Sequence, residues 1–285
     1  MSLERADKIA QNLWDQDVKA WEAHWVPIFG RFARDLVEMA YIADGQLVLD
    51  VGTGTGVAAI EAARAARQHG FVIGIDQSAP ILSLAKAKCV KRGPQNLRFL
   101  FMDERRMEFP DNLFDQIISN CGIPLLGFGE TANALFKILR QGGTLSYNNW
   151  HLKDVSAHRI FGEILQKHRT TRPSAELRAQ RTALATLERY GNWDMTWESQ
   201  IRELKGAGFT RTRVRHKIYQ ISLRNVDDFL VMRFDRATLR QELKELSRAK
   251  RTELYDDLRD ALKQFVHGKR FTFDWKITFV QTSKP

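Results

Sequence analysis

The segment Val48-Leu49-Asp50-Val51-Gly52-Thr53-Gly54-Thr55-Gly56 constrains this chain more than any other stretch of it. An apolar run of strand length, QLVLDV (46–51), ends in three glycines at alternate positions, and an Ala-rich helix former follows over 57–69. Glycines so spaced remove the Cβ atoms that would hold a ligand away from the backbone. The helix behind them turns its free N–H groups toward the same place. The rhythm then repeats. FVIGID (71–76), LRFLFM (97–102), FDQIIS (114–119) and GTLSYNN (143–149) read as buried strands, with helices over about 79–91, ending at Gly93-Pro94, and over 131–140. Strands and helices alternating through short connections imply parallel strands, crossover helices and an open wound sheet.

Outside this core the pattern is more helical. Residues 5–43 read as helix broken near Pro27, with Trp14, Val18, Trp21 and Trp25 spaced to share one face. Helices are expected over about 153–169, 174–190 and in TWESQIRELKGAGF, which stops at Gly206 and Gly208. A β-like stretch covers 210–223, a helical block about 225–266 with an apolar face of Leu254, Leu258, Leu262 and Phe265, and a last strand 270–280.

The length of 285 residues and an apolar fraction of 44% leave ample material for a core. No apolar run reaches the roughly 18–20 residues of a membrane span, and the charged N-terminus lacks the apolar centre of a secretory signal. Cys89 and Cys121 alone make neither a disulfide framework nor a metal cluster, so no metal is expected. A soluble cytoplasmic protein is the expectation. The net charge of +10 is uneven: residues 1–150 carry 16 Lys/Arg against 17 Asp/Glu, residues 151–285 carry 28 against 17. Because the basic half also intersperses acids, it reads as solvated helix faces more than as a polyanion-binding surface.

Dinucleotides and S-adenosylmethionine both use a loop of this kind. The dinucleotide pattern G-x-G-x-x-G would put its third glycine at Val57, and Gly56 arrives one residue early. Asp76, ending the next strand 24 positions after Gly52, suits ribose hydroxyls in either class.

VLDVGTGTG resembles the first motif of class I S-adenosylmethionine-dependent methyltransferases, and four further segments resemble later motifs in the right order. These are GID (74–76), FMDERRMEFPDNLFDQIISN (101–120), KILRQGGTLSYNNW (137–150), with Gln141 where proline is commoner, and IRELKGAGF (201–209). WDQDVKAW (14–21) is similar to a W-D-x-x-A-x-x-Y segment of the small-molecule branch that includes quinone and natural-product methyltransferases.

The resemblance implies an α/β, Rossmann-like wound and mostly parallel seven-stranded sheet with helical insertions in the C-terminal half. It implies one domain over 1–285: an N-terminal helical lid (1–45), a cofactor-binding core (46–150), a helical insert (151–200), and C-terminal strands with a further insert (201–285). It also assigns roles. Gly52, Thr53, Gly54 and Gly56 would close on the methionine part of S-adenosylmethionine, with Asp50 orienting the loop toward the amino group. Asp76 would accept from both ribose hydroxyls, with Gln77 beside it. Asp103 would accept from the adenine amine, Met102 and Glu104 adding contacts. Asn120 would face the methionine end, and Trp21 would lie over the cofactor.

Methyl transfer needs positioning above all, and oxygen or carbon acceptors often also need a proton removed. His151, directly after the fifth strand, and His24, beside the N-terminal aromatics, are the candidate bases. Trp14, Trp25, Trp150, Trp193 and Trp197 are candidate pocket walls for an apolar or aromatic small-molecule acceptor. A nucleic-acid methyltransferase is disfavoured: the fourth-strand exit Ser119-Asn120-Cys121-Gly122-Ile123-Pro124 lacks the N-P-P-Y/F motif, and Cys121 lacks a preceding proline. A catalytically inactive cofactor-binding partner subunit stays open, and no residue pattern fixes the oligomeric state, a homodimer included.

Overall fold

The structure is a computed structural model that describes residues 1–123, 127–150, 155–190 and 195–285, without the side chains of Lys91, Arg92, Trp150 and Tyr190. From the N-terminus come α1 (Leu3–Gln16), the short α2 (Val18–Ala20), a π-helical turn (Trp21–Trp25) and α3 (Val26–Ala40). The wound core follows: β1 (Leu47–Val51), α4 (Val57–Ala66), β2 (Phe71–Asp76), α5 (Ala79–Arg92), β3 (Leu97–Phe101), β4 (Phe114–Asn120), α6 (Phe128–Ile138) and β5 (Leu139–Trp150). Then come α7 (Ser156–His168), α8 (Ala175–Tyr190), α9 (Trp197–Gly206) and β6 (Thr210–Leu223). The chain continues through α10 (Val226–Phe234), α11 (Ala237–Lys244), α12 (Arg248–Leu262), the two-residue β7 (Val266–His267) and β8 (Arg270–Ser283).

These elements gather into two compact units, neither contiguous in sequence. Unit 1 takes residues 1–25, 150–189 and 217–277, and unit 2 takes 26–149, 190–216 and 278–285.

Unit 2 carries the wound sheet in the order β3-β2-β1-β4-β5, with its residues of β8 and then of β6 beyond β5. The first five strands are parallel, Leu49 lying between Ile73 and Ile117. The Ala-rich α4 buries Ala58, Ala59, Ala62, Ala63 and Ala66, small side chains that admit close packing. It ends three residues earlier than expected, where Arg67 turns to φ 54°. Ser78 caps α5, its hydroxyl accepting from the Ile81 N–H, with Pro80 in the first turn. Leu49, Ile75, Phe114, Leu145, Tyr147 and Val280 share the unit 2 core. The last two strands run antiparallel: Thr212 meets Thr282, His216 meets Thr278, and Ser222 meets Thr272. The wound, mostly parallel sheet expected from the sequence is the observed one, with β7 as a small added strand beside β8.

Unit 1 packs the N-terminal helices with α7, α8 and α10–α12. Its core is aromatic, Trp25, Phe161, Phe229, Phe271 and Trp275 all being fully buried. Leu254, Leu258 and Leu262 of α12 form the apolar face that their spacing predicts. The N-terminal helix is not broken at Pro27. The π turn runs directly into α3, so Pro27 lies inside a continuous helix, and the wider turn just upstream of it is where the helix takes up the ring and the missing N–H.

Candidate functional site

In an open wound sheet ligands gather at the carboxyl ends of the strands, where the connections diverge. In unit 2 those ends bring together the glycine loop after β1, Asp76 ending β2, the Asp103 segment after β3 and the Ser119–Gly122 exit of β4.

Gly52, Gly54 and Gly56 all have positive φ, 64°, 55° and 82°. They do different work. A Cβ on Gly52 would lie 2.6 Å from the Gly122 carbonyl oxygen, so this glycine lets the loop touch the backbone of the β4 exit. A Cβ on Gly54 would meet nothing within 4 Å, so its side of the loop is open. Asp50, 1% exposed, braces the loop by accepting the Thr53 hydroxyl at 2.7 Å. Burial pushes its carboxyl up to about 7 against the hydrogen bonds from Thr53 and the Ala59 backbone. Its other oxygen, Oδ1, is buried and has no partner.

Asp76 accepts from the Gly54 N–H at 2.9 Å through Oδ2 and from the Ser78 N–H at 2.9 Å through Oδ1. It therefore shapes the loop itself. Asp103 is gripped by Arg105: Nε and the backbone N–H donate to Oδ1, Nη2 to Oδ2. Burial raises the Asp103 carboxyl, but the Arg105 bonds and charge outweigh it and hold the group below its ordinary value. Met102 is half-buried against the unit 2 core. Glu104 is buried, with Gln77 Nε2 donating to its Oε1 at 3.3 Å.

Asn120 accepts from Asn148 Nδ2 at 2.9 Å and donates to the Phe29 carbonyl at 3.4 Å. Asn148 in turn accepts from the Cys121 thiol at 3.0 Å. Burial pushes that thiol well up, which keeps it protonated as a donor. The Ser119 hydroxyl donates to the Val51 carbonyl at 2.7 Å and accepts from the Gly122 N–H at 3.2 Å, pinning the β4 exit to β1. Beside Asn148, Asn149 buries an Nδ2 with no partner. Sequence reasoning assigned no site role to Ser119, Cys121, Asn148 or Asn149. Their signal was a pair of amides ending an apolar strand, which any strand end can show.

The aromatic candidates fall in both units. In unit 1, Trp14 and Trp21 meet edge-on at 5.5 Å, Trp21 stacks on Trp25 at 5.7 Å, and the Arg236 guanidinium lies over all three rings. Trp25 is wholly buried and presents no face to solvent. His24 Nε2 pairs with Asp235 Oδ2 at 2.9 Å, half-buried in the same unit. Trp197, in unit 2, packs on that unit's core beside His216. His151, Trp193 and the Trp150 side chain lie outside the described residues.

His158 of α7 was not anticipated. Its ring lies 5.1–6.1 Å from those of Trp25, Phe229, Phe273 and Trp275, and both of its nitrogens are buried without a partner. Burial, and then the Arg233 charge, hold it neutral well below the usual imidazole range.

Among the described residues no group of His, Cys, Asp and Glu is arranged to hold a metal ion, and no helix is long and apolar enough to cross a membrane. The unpartnered Asp50 oxygen and the open side of Gly54 do fit a ligand that brings a cation to the loop, as S-adenosylmethionine does with its ammonium.

Comparison with known proteins agrees. Residues 48–143 match the model of a methyltransferase domain family. An aklanonic acid methyltransferase of Streptomyces sp. (strain C5) is 26% identical over 204 residues, 70% of this chain and 91% of that one. A ubiquinone/menaquinone biosynthesis C-methyltransferase of Azotobacter vinelandii is 30% identical over 114 residues, 39% of this chain, which spans only 45% of that relative. The fold is shared with a phosphoethanolamine N-methyltransferase of Haemonchus contortus solved with S-adenosyl-L-methionine. That match has a TM-score of 0.56 and 17% identity, and it covers 95% of this chain and 57% of the other.

Proposed function

We propose that the chain, like the relatives it resembles, is a class I S-adenosylmethionine-dependent methyltransferase, and that it methylates a small aromatic or otherwise apolar metabolite. The observation that carries the cofactor half is Asp50 Oδ1, an unpaired buried oxygen in the glycine loop, whose Thr53 hydroxyl and Gly54 N–H are already engaged. Bound there, S-adenosylmethionine supplies a methyl group made electrophilic by its sulfonium. The chain's own residues bind and orient. Asp50 accepts the ammonium, Gly54 leaves room for the methionine chain, and Asp76 accepts from the ribose hydroxyls. Asp103, with its oxygens already set by Arg105, accepts from the adenine amine. Asn120, fixed by Asn148, faces the methionine end.

For the acceptor, the names of two relatives, the aklanonic acid and the ubiquinone/menaquinone enzymes, point to small organic acids and quinones. Within unit 2, the half-buried Trp197 is in keeping with an apolar acceptor.

Calorimetric titration with S-adenosylmethionine, S-adenosylhomocysteine and NAD tests the first half. The two adenosyl ligands are expected to bind the wild type, and Asp76→Ala to lose them. NAD binding alone would overturn the reading. Transfer of labelled methyl to hydroxyanthraquinone or hydroquinone acceptors tests the second half. Cofactor binding with no transfer to any acceptor would favour an inactive cofactor-binding subunit instead.

A further inference from the structure

We propose that Glu104 serves as a neutral carboxylic acid whose O–H donates to an acceptor atom of the cofactor's adenosine half. The inference rests on the cofactor reading above and assigns one of its residues a role opposite to that of the neighbouring aspartates. Glu104 follows Asp103 directly, and its side chain is buried beside Gln77, the residue after Asp76. It is thus near enough to feel the charge of both carboxylates, those assigned to ribose and to adenine.

The hydrogen-bond pattern tells its two oxygens apart. Gln77 Nε2 donates to Oε1, which makes Oε1 the acceptor and leaves a proton to Oε2. Oε2 is buried and has no partner. A buried hydroxyl with nothing to bond is an expense that folded proteins rarely leave standing unless a ligand removes it.

The surrounding charges favour the neutral form. Asp76 at the end of β2 and Asp103 on the same segment are both negative. Among the described residues the cation facing the group is Arg105, which is already committed to Asp103. Burial first, then those two carboxylates, push Glu104 up to about 8, against its own backbone amide and Arg105. A donor is also what the ligand lacks here. The aspartates only accept, whereas adenine ring nitrogens N3 and N7 are acceptors that need a donor.

The test is calorimetric titration with S-adenosylhomocysteine, which carries the same adenosine, from pH 6 to 9.5 on wild type and Glu104→Gln. The ligand's amino group titrates in this range, but equally for both proteins, so the ratio of affinities isolates Glu104. Wild-type affinity relative to Glu104→Gln is expected to stay level up to about pH 7.5 and to fall tenfold per pH unit beyond about 8. At pH 7 the glutamine variant, which keeps an N–H donor, should bind within threefold of wild type. A ratio that stays level to pH 9.5 sinks the proposal and leaves the cofactor reading intact. So does a folded Glu104→Gln that loses tenfold or more at pH 7, since the group would then act as an acceptor. Failure of the wild type to bind the ligand at any pH sinks both together.

Discussion

Two glycines separated by one residue are expected to fail in different ways when given a side chain. Gly52 sits at φ 64°, and a methyl there would lie 2.6 Å from backbone that cannot swing aside. Gly52→Ala should cost about 2 kcal/mol or more of stability and take cofactor binding with it. Gly54 sits at φ 55° with open space ahead, so Gly54→Ala costs roughly 1–2 kcal/mol from the left-handed backbone alone. The variant should fold, with cofactor affinity down at least tenfold, because the methyl fills the open side. Thermal unfolding and calorimetry on both proteins separate the effects; Gly54→Ala binding like wild type would mean that the cofactor lies elsewhere. The glycines, Asp50 and Asp76 were legible because glycine repeated at the end of an apolar strand does little there except admit a ligand or a neighbouring backbone. The Arg105 grip on Asp103 was not, since a neighbouring Arg in a sequence does not say which way it turns. Nor was His158, which looks like any histidine on an amphipathic helix until the rings around it are assembled.

At the scale of elements, one cap joins distant parts of unit 1. The Asp17 carboxylate, 1% exposed, accepts from the Ala237 N–H at the start of α11 and from Arg236, with Arg240 close by. It meets the positive end of the helix and the charge that the tryptophan stack also faces. Asp17→Ala would strand Arg236, itself largely buried over the tryptophan rings, and a loss of about 3 kcal/mol is expected. Chemical denaturation should show it. A change below about 1 kcal/mol would mean that water replaces the carboxylate freely. The strands and most helices were readable from their own residues, β2 and β6 to the residue. This cap was not, because its partners are 219 and 220 positions apart. For the same reason the helical block 225–266 read as one stretch. It divides into three helices, and only Ser247, which caps α12 by accepting from the Lys250 N–H, was a local sign of a division.

For the whole molecule, the buried Asp50 makes stability depend on pH in an unusual direction. Its carboxyl sits at about 7 in the folded protein against 3.8 as the ordinary value, so the folded state holds this proton more tightly than the unfolded one. Between about pH 4 and 7 the group therefore removes stability as pH rises, on the order of 1.4 kcal/mol per unit. Above pH 7 the loss is constant. Asp50→Asn escapes it, so without cofactor the variant should unfold at a higher temperature than wild type at pH 8 and nearly the same one at pH 4. Its affinity for S-adenosylmethionine should fall more than tenfold, an amide N–H having replaced the acceptor for the ammonium. Melting curves at the two pH values check the first claim and calorimetry the second. A variant less stable at both pH values would show that Asp50 is already ionised and paired in the free protein.

The chain changes unit five times, and Val280 of β8 belongs to the same core as Leu49 of β1. During synthesis, the ribosome delivers the glycine loop more than two hundred residues before the strand that seals this core. At typical elongation rates that interval is roughly 10–45 s. Through it the sheet that holds the loop's strand is left open beyond β5. The open edge of β5 in the nascent chain is what a chaperone would have to shield until β8 arrives.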